Sequence, residues 1–194
     1  SFSITSVGYS KNIIYRNKAK LHDDIYVTGN LGDSFVGLKI LQNKIKVNKK
    51  LKSYFVKKYF EPEIQIKLTK ELLKFASSSI DISDGLIDDL EKMINKQKLS
   101  YKIWEEQIPI SKNLLNYLKK SDLKKLNFIS NGDDYQVLFT ASTERSRIIK
   151  DVSKKLGIKI SRIGKITPNN KRSSFINKKG EYLLVKNTGY KHQF

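Results

Sequence analysis

Residues 81–92 read DISDGLIDDLEK, a concentration of carboxylates in a chain with 38 Lys plus Arg, 19 Asp plus Glu and a formal net charge of +19. Leu86, Ile87, Leu90, Met93 and Ile94 recur at helical spacing, so a helix with one apolar stripe runs on from Asp84. Ser78 to Ile82, just ahead, reads as a strand. Three explanations compete for the acids between strand and helix. A calcium loop fails on spacing, because Gly85 comes one place early for an EF-hand counted from Asp81 and no Glu closes the loop. A helix cap by Ser83 or Asp84, with Asp88 and Asp89 in the first turn favoured by the macrodipole, explains those residues but not Asp81. Asp is depleted in strands, and Asp81 lies between Ile80 and Ile82. A cation site explains Asp81 as well. An Asp at the end of a strand, just before a helix N-terminus, sits where phosphates and cations gather in α/β proteins. Asp81 and Asp84 then share one or more Mg²⁺ ions, and backbone N–H groups near Ser83 face phosphate oxygens. On local chemistry, cap and cation site both stay open.

Composition narrows the classes. A hydrophobic share of 39%, with 9 Phe and 10 Tyr, supports a packed core and excludes a disordered polycation. At 194 residues the chain accommodates one domain, or one domain with a short appendage. The absence of cysteine excludes disulfides, thiolate nucleophiles and Cys-based zinc sites. No apolar run nears the ~20 residues of a membrane helix, and SFSITSVGYSKN at the start is not a basic-then-apolar leader. A cytoplasmic protein with no membrane partner is expected. The positive charge invites a nucleic-acid partner. Lysines are nevertheless spread along the whole chain among Ile and Asn, and no aromatic-basic RNA-binding signature occurs. A nucleic-acid partner is disfavoured, and the lysines read as a solvated surface.

Strand and helix patterns alternate along the chain. Ser3–Tyr9 and Asp24–Thr28 read as strands, and a helix follows from Asp33 with Phe35, Leu38, Ile40 and Leu41 inward. Lys49–Lys58 reads as a helix with Phe55 and Tyr59 inward, broken by Pro62. Ile66–Phe75 reads as another, with Leu68, Leu72 and Leu73 on one side. Tyr101–Trp104 is strand-like, and Ser111 caps a helix to Leu118. Tyr135–Thr140 is a buried strand, and Arg147–Leu156 a helix stopped by Gly157. Ile158–Ile166 and Ser174–Val185 are strand-like, the second folded at Lys179-Gly180. The class is mixed α and β in layers.

A second acidic turn adds weight to a site. SNGDDYQVL at 130–138 puts Asp133 and Asp134 directly before the buried strand. Alone it is an Asn-Gly turn with a solvated Asp pair; two acidic turns at element junctions point to a shared purpose. DISDGL at 81–86 followed by SNGDDYQVLFT at 130–140 resembles thiamine-monophosphate kinase, which carries a DISDGL-type motif and then an SGGEDYELLFT-type motif. YRNKAKLHDDIYVTGNLGDS at 15–34, IPISKNL at 108–114, RIGKI at 162–166 and GYKHQF at 189–194 resemble further family segments in order.

The resemblance implies an α+β domain of the aminoimidazole ribonucleotide synthetase-like superfamily, a mixed β-sheet with helices packed mainly on one face. It implies an enzyme that moves the γ-phosphoryl group of ATP onto thiamine monophosphate with Mg²⁺, by positioning and charge neutralisation and without a covalent catalytic residue. By position, Asp81 and Asp84 match metal ligands, Ser83 an ATP contact and Arg16 a nucleotide-phosphate contact. Asp133 and Tyr190 match substrate contacts. Arg suits bidentate phosphate recognition, and an aromatic face suits the cationic thiazolium. Residues 1–12 would be a strand left from an N-terminal ATP- and metal-binding domain, and 13–194 the C-terminal domain. A homodimer is expected for the full-length protein, and an inactive fragment for this chain alone. The alternatives are a non-catalytic remnant or binding domain, and a sibling ATP-dependent synthetase of the same superfamily. The sequence departs from the family pattern at His22 and Asn131, where Gly is usual, and at Asp133 and Gln136, where Glu is usual.

Overall fold

The computed structural model describes residues 3–5, 7–121, 123–169 and 172–185. Its strands are β1 (Asp24–Thr28), β2 (Ser78–Asp81), β3 (Leu99–Trp104), β4 (Val137–Ala141), β5 (Ile160–Pro168), β6 (Ser174–Ile176) and β7 (Tyr182–Leu183). They form one sheet in the order β2-β4-β1-β5-β3-β6-β7. Every neighbouring pair is antiparallel except β3 with β6, so the sheet is mixed as expected. β1 lies inside the sheet and is buried along its whole length. Its side chains alternate between two cores: Ile25 and Val27 face one, Tyr26 the other.

Helices cover both of those faces rather than mainly one. The first core takes in α4 (Leu86–Ile94), whose predicted stripe of Leu86, Ile87, Leu90, Met93 and Ile94 is buried in full. Burying each large side chain contributes about 1.5–3 kcal/mol. The second core holds Tyr26 stacked on Phe139, with Ile149 and Val152 of α7 (Ser146–Leu156) and Leu72 of the short α3 (Thr69–Leu72). The second helical layer exists because Tyr26, Phe139 and Ala141 make that face apolar too. A third cluster joins α1 (Asp33–Leu41), α2 (Lys49–Phe60), α5 (Lys112–Leu118) and α6 (Leu126–Ile129) through Val36, Ile40, Phe55, Leu114 and Phe128.

Several local readings shift. Ser111 caps α5 by accepting the Leu114 N–H at 3.0 Å, and Gly157 ends α7 at φ 65, both as expected. The buried side of α1 is Val36, Gly37 and Ile40, and Leu41 is exposed. The 66–75 stretch gives only a 3-10 turn and the short α3. In the Ser3–Tyr9 segment, the described residues are exposed and form no strand. His22 holds a left-handed φ of 70 and its N–H donates to the Ile166 carbonyl at 3.2 Å. The turn survives there without glycine, at about 1–2 kcal/mol of strain.

The topology sets where function can sit. β1 and β2 both run antiparallel to β4. The C-terminal ends of β1 and β2 therefore meet the start of β4 at one end of the sheet. Residues 29–33, 81–85 and 130–136 all converge there.

Candidate functional site

The turn from Asp81 to Gly85 is held from inside the helix that follows it. The Asp89 carboxylate, fully buried, reaches back so that Oδ2 accepts the N–H groups of Ser83, Asp84 and Gly85 at 2.9, 2.9 and 3.1 Å. The N-cap position is Gly85 at φ 129, with no side-chain cap of its own. Neither Ser83 nor Asp84 caps α4, and the Ser83-region N–H groups are taken by Asp89 rather than turned outward toward a phosphate. A carboxylate over the first turn satisfies the otherwise unpaired donors and suits the positive end of the helix dipole. Lys92, one turn further on, donates to Asp89 Oδ1 at 2.8 Å and to Asp84 Oδ2.

The 130–136 segment locks onto this turn through backbone contacts. The Asp133 N–H donates to the Ser83 carbonyl at 3.0 Å, Tyr135 N–H to Ile82 carbonyl at 2.9 Å, and Ile82 N–H to Gln136 carbonyl at 2.9 Å. The approach is close enough to require glycine on both sides. A Cβ on Gly132 would lie 1.6 Å from the Ser83 carbonyl oxygen, and one on Gly85 would lie 2.6 Å from that of Ser130. Asp133 and Tyr135 hold left-handed φ values of 67 and 50, whereas Asn131 does not. The departure from Gly at 131 is therefore tolerated because the strain falls on other residues. Such strain is of the order of 1–3 kcal/mol per residue and persists where surrounding contacts over-determine it.

The same segment fixes the Gly29–Asp33 loop. Asp134 is buried, and its Oδ2 accepts the Gly32 N–H at 2.7 Å. Burial pushes its carboxyl up to about 8, with hydrogen bonds from Gly32 and Ser34 opposing and Asp33 adding to the rise. Asp33 is also raised by burial, opposed by the Ser111 hydroxyl at 2.7 Å and the Tyr54 hydroxyl at 2.8 Å, both donating to it. Gln136 accepts from Thr28 Oγ1 at 2.8 Å and Gln65 Nε2 at 3.2 Å, so its amide is a buried strut between elements. A pocket of about 50 Å³ beside these groups is lined by Gly29, Asp33, Lys58, Asp134 and Gln136 among others. The larger groove, of about 440 Å³, runs along α4 past Asp88 and Lys92 and includes none of Asp81, Asp84 and Asp133.

The structure brings part of the expected set together. Burial raises the Tyr135 hydroxyl above its ordinary value, and the charges of Asp133, Asp81 and Asp84 add to the rise. Burial raises the Asp133 carboxyl, and the Asp84 charge adds to it. Asp81 is exposed at the end of β2. Ser83 joins through its backbone, leaving its hydroxyl outside this network. Arg16 is exposed on a turn ahead of β1 and takes no part in it. Tyr190 lies outside the described residues. Among the described residues no three Asp, Glu, His or Cys side chains group closely enough to hold a metal ion. Asp81 and Asp84 offer hard oxygen donors suited to magnesium, but not a full set. The sequence marks Asp89 as a first-turn acid and Asp134 as part of an acidic turn, but not their buried bonding roles, and it gives Lys92 no role. The available signal was charge beside apolar positions: Asp89 and Lys92 border the α4 stripe, and Asp134 precedes a buried strand.

No family model matches the chain. A curated thiamine-monophosphate kinase of Buchnera aphidicola subsp. Schizaphis graminum is 36% identical over 194 residues, covering 99% of this chain and 59% of its own length. The chain is similar to thiamine-monophosphate kinases along nearly all of its own length. The kinase of Escherichia coli (strain K12) is 35% identical over 179 residues, which is 91% of this chain and 54% of that protein. The chain thus spans little more than half the length of the curated relatives it matches. The crystal structure of the kinase from Stenotrophomonas maltophilia K279a superposes with a TM-score of 0.72 at 26% identity, over 89% of this chain and 55% of that one. AaThiL complexed with AMPPCP and TMP gives a TM-score of 0.75 at 26% identity, over 95% and 55%. The hydrogenase maturation protein HypE of E. coli, at 14% identity and a TM-score of 0.65, shares the fold. Among the described residues no helix is long and apolar enough to cross a membrane.

Proposed function

We propose that this chain is the C-terminal part of an ATP-dependent thiamine-monophosphate kinase, with residues 13–194 as the domain and 1–12 as an extension toward the rest of the protein. The observation that carries the reading is the likeness to these kinases along 99% of the chain, with the two acidic turns interlocked at one sheet end. In the proposed reaction a terminal phosphate oxygen of thiamine monophosphate forms a new bond to the γ-phosphorus of ATP. The bond from that phosphorus to the β-phosphate bridging oxygen breaks, and its electron pair leaves with ADP. Thiamine diphosphate results.

Asp81 and Asp84 are proposed as part of the oxygen shell of Mg²⁺, completed by phosphate oxygens, water and residues beyond this chain. When bound, the ion neutralises phosphate charge. Ser83 and Arg16 are assigned to ATP, and Asp133 and Tyr190 to thiamine monophosphate. The Asp133 backbone, with its N–H bonded to the Ser83 carbonyl and a left-handed φ, lies beside the 81–85 turn and supports this assignment. The full-length protein is proposed to act as a cytoplasmic homodimer, and this chain to be inactive alone.

Calorimetric titration of thiamine monophosphate, and then ATP with Mg²⁺, into this chain and into Asp81→Ala tests the assignment. Weak Mg²⁺-dependent nucleotide binding that the substitution removes is expected. A folded chain that gives no heat with any of these ligands would sink the site assignment.

A further inference from the structure

Lys125 stands immediately before α6, whose Leu126 and Phe128 are buried. Its carbonyl accepts the Phe128 and Ile129 N–H groups at 3.0 and 3.3 Å, so the backbone is fixed, and the residue is half-buried. Its Nζ donates to the Glu105 carbonyl at 2.6 Å, an oxygen that also accepts the Ile108 N–H at 3.2 Å. Among the described residues no carboxylate forms an ion pair with it, whereas Lys92 has three. A peptide carbonyl brings no net charge to offset the burial of an ammonium group. Burial pushes the Lys125 amine down to about 8; the Glu105 and Glu106 charges oppose the shift, and the Lys159 charge adds to it. Lys159 also rests on a neutral partner, Asn30 Oδ1 at 2.8 Å, and burial lowers its own amine. The fold thus sets two amines within electrostatic reach of each other, each bonded to an uncharged oxygen.

We propose that Lys125 is a site of N-acylation, taking the acyl group of a small acyl phosphate. The inference uses no part of the kinase reading. The neutral amine attacks the carbonyl carbon and forms an amide bond. The bond from that carbon to the phosphate oxygen breaks, its electron pair leaves with phosphate, and the surplus proton on nitrogen passes to water. A lysine is nucleophilic only when uncharged, and partial burial on a neutral oxygen supplies that form close to neutral pH. The Lys159 ammonium attracts the anionic reagent and offsets charge on the departing phosphate. The acylated nitrogen keeps one N–H for the Glu105 carbonyl, so the bond that positions the amine survives the reaction.

Acetyl phosphate is the probe. The folded chain is acetylated to low extent over a range of pH, and mass spectrometry of its peptides gives the rate at every lysine. The rate at Lys125 is expected to rise to about pH 8 and then level off, whereas that of an ordinary lysine climbs until about pH 10.4. At about pH 7, Lys125 then carries about 250 times more free amine than an ordinary lysine. Its lower basicity removes about fifteenfold of that, taking the slope of about 0.5 found for thiols. Acetylation of Lys125 should therefore run about tenfold faster than at the median lysine of the chain. In denaturing urea, where the Glu105 contact is gone, the preference should vanish. A Lys125 rate at or below the median, a rate still climbing above about pH 10, or a preference that persists in urea would each overturn the proposal.

Discussion

Replacing Asp89 by Ala tests most directly how the acidic turn is built. The carboxylate is fully buried and accepts three backbone N–H groups, and it pairs with Lys92. Hydrogen bonds to a charged acceptor are worth about 1.5–3 kcal/mol each, so the gross loss is large. Ser83 and Asp84 are only half-buried, however, and water can replace part of what their N–H groups lose. The expected net destabilisation is about 3–5 kcal/mol, the range for breaking a buried charged network. That is a large fraction of a total stability of about 5–15 kcal/mol. Asp89→Asn keeps an acceptor but not the charge and should lose about half as much. Asp88→Ala is the control, because Asp88 is more exposed and 3.9 Å from Lys92; its effect should stay within about 0.5 kcal/mol. Urea unfolding followed by circular dichroism, at unchanged m, measures all three. A loss below about 1 kcal/mol for Asp89→Ala would refute the claim that this side chain organises the loop.

Two further outcomes follow from the same interlock. The Asp134 carboxyl titrates at about 8 in the fold and near 3.9 in an open chain. Between those values the unfolded chain has released a proton that the folded chain keeps. This contribution to stability therefore falls as pH rises from about 4 to about 8, and then levels off. Asp134→Asn copies the protonated acid, so urea midpoints of parent and variant should diverge over that window; parallel curves would contradict the buried neutral acid. Gly132→Ala should lose at least about 2 kcal/mol, because its Cβ meets the Ser83 backbone at 1.6 Å. Gly157→Ala, with nothing within 4 Å and only its φ of 65 to strain, should lose about 1 kcal/mol; equal losses in thermal melts would show that the two loops are not locked.

The sequence by itself determined what depends on neighbours along the chain. The α4 stripe, the buried strand after Tyr135, the Ser111 cap and the Gly157 stop follow from period, local hydrogen bonding and backbone freedom, which a few adjacent residues set. The two acidic turns and their order were equally legible, and with them the kinase likeness. Tertiary structure alone decided the partners. That Asp134 is a buried acid bonded to Gly32, that residues 130–136 close over 81–85, and that Tyr26 needs a second helical layer all depend on β4 lying between β1 and β2. Asp89 shows the limit at short range. Its spacing offers a first-turn acid, but only the fold back of the 83–85 backbone makes that acid the receptor for three donors. A charged side chain has the same formula in solvent and in the core; desolvation and the donors that surround it settle which role it takes.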